Sequence, residues 1–177
     1  VTTVHSSQNY LRLNVGFLIN QPVGTSRDFH FDIPQLHLSP DLNLGDITGI
    51  VRVTRTAQGL LVQVNLQATL QIECARCLTE FPQPLTVDYL ELYTFSRLAE
   101  PGTEFILPES GQINLGPLLR EYMLLEIPIN PLCSTDCQGI CPTCGENLNT
   151  TTCNHQDEYI DPRFDVLKTL LNDENST

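Results

Sequence analysis

The chain has 177 residues, 41% of them apolar, and a formal net charge of −12 from 9 basic and 21 acidic side chains. That size and apolar content support one good core, or a core with a small appended module, and exclude a disordered tail. The charge disfavours broad nucleic-acid binding, which needs Lys and Arg to neutralise phosphates, and no apolar run reaches the roughly 18–20 residues of a membrane-spanning helix.

The opening VTTVHSSQNYLRLNVGFLIN lacks the basic flank and small-residue cleavage site of a secretory signal. A cytoplasmic location is therefore expected, and the missing initiating Met is read as a trimmed N-terminus. Residues 1–27 read as a weakly specified arm that ends in the loop NQPVGTSRD. DFHFDI, at 28–33, reads as a short strand closed by Pro34 and SPDLNLGD. From Ile47 the signal strengthens: ITGIVRVTR is a strand, and TAQG is a turn ending at Gly59.

The clearest pattern follows. Leu60, Val62, Val64, Leu66, Ala68, Leu70, Ile72 and Cys74 alternate with Leu61 and a run of polar residues from Gln63 to Glu73. Period-two alternation places one face in a core and the other in water, and a strand this long is expected to bend or bulge. It delivers Cys74 at its end. FPQPLTVDYLELYTF is the next strand, ragged at Pro82 and Pro84, so the two form a hairpin tipped by CARCLTE. In NLGPLLREYMLLEI the period changes to a helical one, with Leu115, Leu118, Leu119, Tyr122 and Met123 on one face, Asn114 as cap and Pro128 as stop.

From Pro131 to Tyr159 there is no apolar periodicity, and Cys, Gly, Pro, Thr and Asn dominate. A segment of that composition needs a staple, because burial cannot hold it. The last element is a short helix in DPRFDVLKTLL, with Asp161 as cap, Pro162 in the first turn, and Phe164, Leu167, Leu170 and Leu171 inward. The expected fold is α+β: a curved antiparallel sheet with one or two helices and a C-terminal zinc-ribbon-like cysteine module. The expected organisation is an arm at 1–27, a sheet-and-helix core at 28–127, and a cysteine-rich module with its helix at 128–177, packed as one unit with the core.

Seven cysteines is an odd number, and within the clusters only two or three residues separate neighbours, which suits metal ligation better than disulfides. Cys74-Ala-Arg-Cys77 and Cys141-Pro-Thr-Cys144 have the form of zinc knuckles, and Gly145 can adopt the positive φ that turns amides toward a thiolate. One division joins these two pairs in one site and leaves Cys133, Cys137, Cys153 and His155 for a second. Another places Cys133, Cys137, Cys141 and Cys144 in one local site, with Cys74 and Cys77 free or joined to Cys153. Either way one or two zinc ions are implied, and four protein ligands make a metal structural by leaving no position for substrate. The plainer alternatives are a buried pair or reversible disulfide at Cys74 and Cys77, a redox switch downstream, and an exposed loop histidine at His155. His5, His30 and His37 have no partners at ligand spacing.

No phosphate-binding glycine loop, nucleophile elbow, HExxH helix or dinucleotide fingerprint is present. Asp136 and Glu146 are the acids nearest the downstream cysteines, and turn or surface roles suit them better than that of a general base at a catalytic metal. The sequence does not argue for an enzyme.

The strand ending in ECARCL, the helix before PLC, and CSTDCQGICPTCGENLN followed by Cys153 and IDPRFDVLKTLL resemble the bacterial and plastid YceD-type family of large-ribosomal-RNA accumulation proteins. The resemblance runs over roughly residues 47–171. Its motif positions here are Cys74, Cys77, Cys133, Cys137, Gly139, Cys141, Cys144, Gly145, Leu148 and Asn149. It implies a role in accumulating the RNA of the large ribosomal subunit, and an association with a small basic ribosomal protein. Some members lack the downstream cysteines. Others end the cluster in a C-x-C pair, where this chain has CNH, so that His155 replaces the second cysteine.

Charge points to the same kind of partner. The stretch from Cys133 to Thr177 has eight acidic and two basic residues, and a four-thiolate zinc would carry about −2. That region suits a basic large-subunit ribosomal protein, or the assembling subunit, better than bare rRNA. Direct rRNA contact is not favoured, and Arg52, Arg55 and Arg76 are its candidates. The reading is a non-enzymatic ribosome-assembly factor. A zinc- or redox-responsive regulator and an RNA-processing enzyme are the alternatives.

Overall fold

The inward residues of the alternating segment, Leu60, Val62, Val64 and Leu66, have no measurable exposure, while Gln63, Asn65 and Gln67 face solvent. This strand is the centre of a sheet seen in a computed structural model that describes residues 10–154. Four long antiparallel strands follow one another: β2 (Ser26–Leu38), β3 (Leu42–Arg55), β4 (Gly59–Glu73) and β5 (Glu80–Phe95). The short β6 (Ile106–Leu107) adds parallel to the end of β5, so the sheet is mixed and open, in the order β2-β3-β4-β5-β6. A two-stranded ribbon of β1 (Arg12–Asn14) and β7 (Gln112–Asn114), two α-helices, α1 (Gly16–Ile19) and α2 (Gly116–Leu125), and a 3-10 turn at Ser96–Leu98 complete the described elements. The architecture is the expected α+β one of a sheet with helices and a cysteine-rich C-terminal segment.

Within the described residues the chain forms two compact units. One contains every strand and helix and runs to Ala75, then from Thr79 to Cys133. The other takes Arg76–Leu78 and the chain from Ser134. The expected helix at 161–171 lies outside the described residues.

The ends of the sheet depart from the sequence reading. Leu11, Leu13, Val15 and Leu18 are buried in the core, so this part of the expected arm is built into the fold. Three-residue β1 is paired by a strand about a hundred residues later and thus leaves no local periodicity. Pro34 does not close β2, which runs through it for 13 residues. β2 is an edge strand, where a missing backbone donor breaks no ladder. Likewise β3 begins at Leu42, before the expected Ile47. Pro82 and Pro84 lie within β5, and its pairing with β4 continues past both.

The bulge expected in the long strand lies in its neighbour. β4 pairs with β5 without a slip from Gly59 to Glu73, whereas β3 carries an extra residue between Gly45 and Thr48. Just beyond it Gly49 has φ +142°, and a Cβ there would lie 2.2 Å from the Asn65 carbonyl oxygen. α2 follows the helical reading closely: Leu115, Leu118, Leu119 and Met123 are buried, and Tyr122 stacks on Tyr89 with centroids 4.1 Å apart. Asn114 Oδ1 accepts the Gly116 N–H at 3.1 Å, although the capping position is Leu115. Burial raises the Tyr89 hydroxyl above its ordinary pKa.

Leu66→Ala should lower stability by about 2–5 kcal/mol through transfer and cavity terms, whereas Gln67→Ala, on the solvent face, should stay within about 0.5 kcal/mol. Gly49→Ala should cost about 1–3 kcal/mol by overpacking against the β4 backbone. Urea midpoints at constant m-value check all three, and equal effects at positions 66 and 67 would contradict the assigned faces.

Candidate metal centre

Cys74 continues the inward phase of β4 one step past its last ladder pair, which leaves the thiol fully buried. The hairpin tip closes on it: the Cys74 N–H donates to the Thr79 carbonyl at 3.0 Å, and Leu78 takes a left-handed φ of +58° to complete the turn. The Ala75 N–H donates to the Pro131 carbonyl at 2.8 Å, clipping the chain that leads to Cys133 onto the knuckle. These contacts belong to the unit that holds the sheet.

In the other unit, Arg76 organises the loop around Cys137. Its carbonyl accepts the Ile140 N–H at 3.1 Å, and its guanidinium donates to the Cys137 carbonyl at 2.9 Å. Gly139 has φ +80°, and a Cβ there would lie 3.2 Å from the Arg76 carbonyl oxygen. Asn149 spans the same loop. Its Oδ1 accepts the Gln138 N–H at 2.8 Å, and its Nδ2 donates toward the Cys137 sulfur at 3.4 Å. An isolated bridge between Ile140 and Asn147 frames the Cys141–Cys144 turn, where the Cys141 N–H donates to the Glu146 carbonyl at 2.8 Å.

The sulfurs fall into two groups. Those of Cys74, Cys77, Cys133 and Cys137 all lie within 4.8 Å of one another, and so do those of Cys141, Cys144 and Cys153. No disulfide links the seven. Four sulfurs around a zinc at bond lengths of about 2.3 Å would sit roughly 3.8 Å apart, so the first group has the number of sulfurs for a tetrahedral thiolate site and a spread, within 4.8 Å, that accommodates it. Either group could hold a metal ion. Backbone N–H groups of Cys144 and Thr143 stabilise the Cys141 thiolate and lower its pKa to about 6.

This grouping differs from both divisions considered from sequence. The upstream knuckle joins the pair Cys133 and Cys137, and the downstream knuckle joins Cys153. The reason is tertiary, since the Ala75–Pro131 clip carries Cys133 to the hairpin tip. His155 lies outside the described residues. Asp136 and Glu146 are exposed and belong to neither sulfur group. His37 sits 2.6 Å from Asn43 Oδ1 and belongs to neither sulfur group. From sequence, Arg76 inside the CARC knuckle is expected to offer positive charge near the thiolates. Here it also fixes the Cys137 loop through its guanidinium and carbonyl, and neither that role nor the part of Asn149 was expected. Asn149 had only its place in the CGENLN motif to signal it.

The three arginines suggested for RNA contact are engaged within the protein. Arg52 forms a two-pronged ion pair with Asp28 at 2.7 and 2.8 Å, holding that carboxyl below its usual range. Arg55 donates to the Ile19 carbonyl at 3.0 Å and lies over the Phe95 ring. Arg76 holds Cys137, as above. No helix among the described residues is long and apolar enough to cross a membrane.

A family model described as "Large ribosomal RNA subunit accumulation protein YceD" matches residues 62–171, more than half of the chain. An uncharacterized protein of Mycobacterium tuberculosis is 33% identical over 131 residues, covering 72% of this chain and 63% of its own length. The chain thus spans less than two thirds of that relative. The uncharacterized protein YlbN of Bacillus subtilis is 26% identical over 133 residues, 72% of this chain and 77% of its own. A maize chloroplastic protein, named as a YCED homolog 1 for large ribosomal RNA subunit accumulation, is 42% identical over 41 residues, 23% of this chain and 14% of its own. No solved structure matches the chain.

Gly139→Ala should destabilise the Cys137 loop by about 1–2 kcal/mol, combining left-handed strain with the crowded Arg76 carbonyl. Gly145→Ala, with φ +77° and nothing within 4 Å of the added Cβ, should cost less. Hydrogen exchange at the Ile140 and Leu148 amides reads the difference, and the reverse order would rule out this account of the loop.

Proposed function

The chain belongs to the YceD family, and on that premise we propose that it acts in accumulation of large-subunit ribosomal RNA as a non-enzymatic, protein-binding zinc factor. The observation that carries the protein-binding reading is the commitment of Arg52, Arg55 and Arg76 to intramolecular partners in a chain of net charge −12. A surface so poor in free cations gains little from phosphate neutralisation, and it attracts a basic partner. A basic large-subunit ribosomal protein, met alone or on the assembling subunit, has that chemistry, and direct rRNA contact is secondary. A reducing compartment such as the cytoplasm keeps the thiols available.

Zinc is the metal that an all-thiolate set of this spacing favours. Cys74, Cys77, Cys133 and Cys137 would hold one ion, and Cys141, Cys144 and Cys153 would contribute to a second, with His155 a candidate for the remaining ligand. Bound zinc supplies cross-linking here. The chain's own groups do the rest: Arg76 and the Asn149 amide fix the Cys137 loop, and the β4–β5 turn fixes Cys74.

The purified protein should contain about one to two zinc per chain. Captured from lysate on this chain, large-subunit ribosomal proteins should remain after nuclease treatment, and rRNA fragments should bind only weakly near 150 mM salt. Tight rRNA binding with a steep salt slope, and loss of the proteins after nuclease, would replace protein binding with RNA binding. Chelation should abolish exchange protection at Ile140 and Leu148 while the β4 amides keep theirs, because only the sheet unit has an apolar core.

A further inference from the structure

The two sulfur groups differ in the features that govern how firmly a metal is kept. Cys74, Cys77 and Cys137 are 0%, 6% and 3% exposed, and only Cys133 of that group is open to solvent. In the second group only Cys141 is buried, while Cys144 is exposed and Cys153 half-buried. The first group offers four sulfurs and the second three among the described residues. Beside Cys144 there is room as well, since a Cβ added to Gly145 would meet no atom within 4 Å.

Metal leaves a thiolate site by losing one ligand at a time, and each loss competes with recapture by the sulfurs that remain. Burial keeps a competing ligand out and holds a detached sulfur near the ion. Four thiolates complete the tetrahedron of zinc, while three leave the fourth place to a non-thiolate donor, for which His155 is the candidate named above, and an incoming thiophilic ligand displaces such a donor more readily than a thiolate. Resting on the zinc reading above, we propose that Cys141, Cys144 and Cys153 form an exchangeable site for a thiophilic divalent ion, whereas Cys74, Cys77, Cys133 and Cys137 keep theirs. Exchange proceeds through the fourth coordination position, and the exposed Cys144 is the first sulfur to yield. No oxidation is involved: the ion passes as a divalent cation to the competing ligand, and each released thiolate takes a proton from water.

The test is zinc release from the full zinc-loaded chain to an excess of a chromophoric chelator under reductant. Two phases of about one equivalent each are expected, with rates about tenfold or more apart. Cys144→Ser should remove the fast phase and leave the slow one. Refilling the fast site with cobalt should give a thiolate-to-metal charge-transfer band that Cys144→Ser lacks. Release at a single rate, or a fast phase that survives Cys144→Ser, would overturn the exchangeable site and leave structural zinc standing. A chain that holds no zinc and takes up none under reductant would overturn both.

Discussion

Outside the sheet unit, the described residues bury no large apolar side chain: Cys77, Cys137 and Cys141 are their fully buried hydrophobic positions, and Leu148 and Cys153 are half-buried. A segment of that kind cannot offset the entropy of ordering by burial, so its shape depends on sulfur and on the amides that surround it. The Cys137 loop, its contacts to Arg76 and Asn149, and the downstream turn all serve that constraint. Glycine at position 139 follows from it too, since the chain must pass the Arg76 carbonyl closely in a left-handed conformation.

The sheet unit itself carries Cys74 and Cys133. β4 runs its inward phase from Leu60 to Cys74, so the same alternation that fills the core also sets which way the knuckle faces. A one-residue slip would turn every inward side chain to solvent, Cys74 included, and the unbroken register with β5 guards against it. The bulge is therefore found in β3, where an extra residue at Gly45–Thr48 bends the sheet without disturbing the strand that carries the cysteine.

Function follows from what is left on the surface. The family is named for accumulation of large-subunit ribosomal RNA, yet this chain has few cations, and those singled out for RNA are spent on Asp28, on the Ile19 carbonyl and Phe95, and on Cys137. A metal held by thiolates adds further negative charge. The contact through a basic protein proposed above rests on this electrostatic balance.

The β4 alternation, the α2 face and the metal-like spacing of the cysteines were legible from sequence because each is a local pattern that one element's geometry imposes. The burial of Leu11–Leu18, the passage of β2 through Pro34 and the place of the bulge were not. They depend on which strand lies alongside, and sequence neighbours carry no record of that. The division of the sulfurs shows the same limit. Spacing brings Cys74 to Cys77 and Cys141 to Cys144, but a backbone hydrogen bond from Ala75 to Pro131, across more than fifty residues, decides that Cys133 and Cys137 join the first pair. By itself the sequence determined that the cysteines gather, and only the tertiary structure decided which of them meet, because loop closure between distant segments is set by the packed sheet that holds their ends.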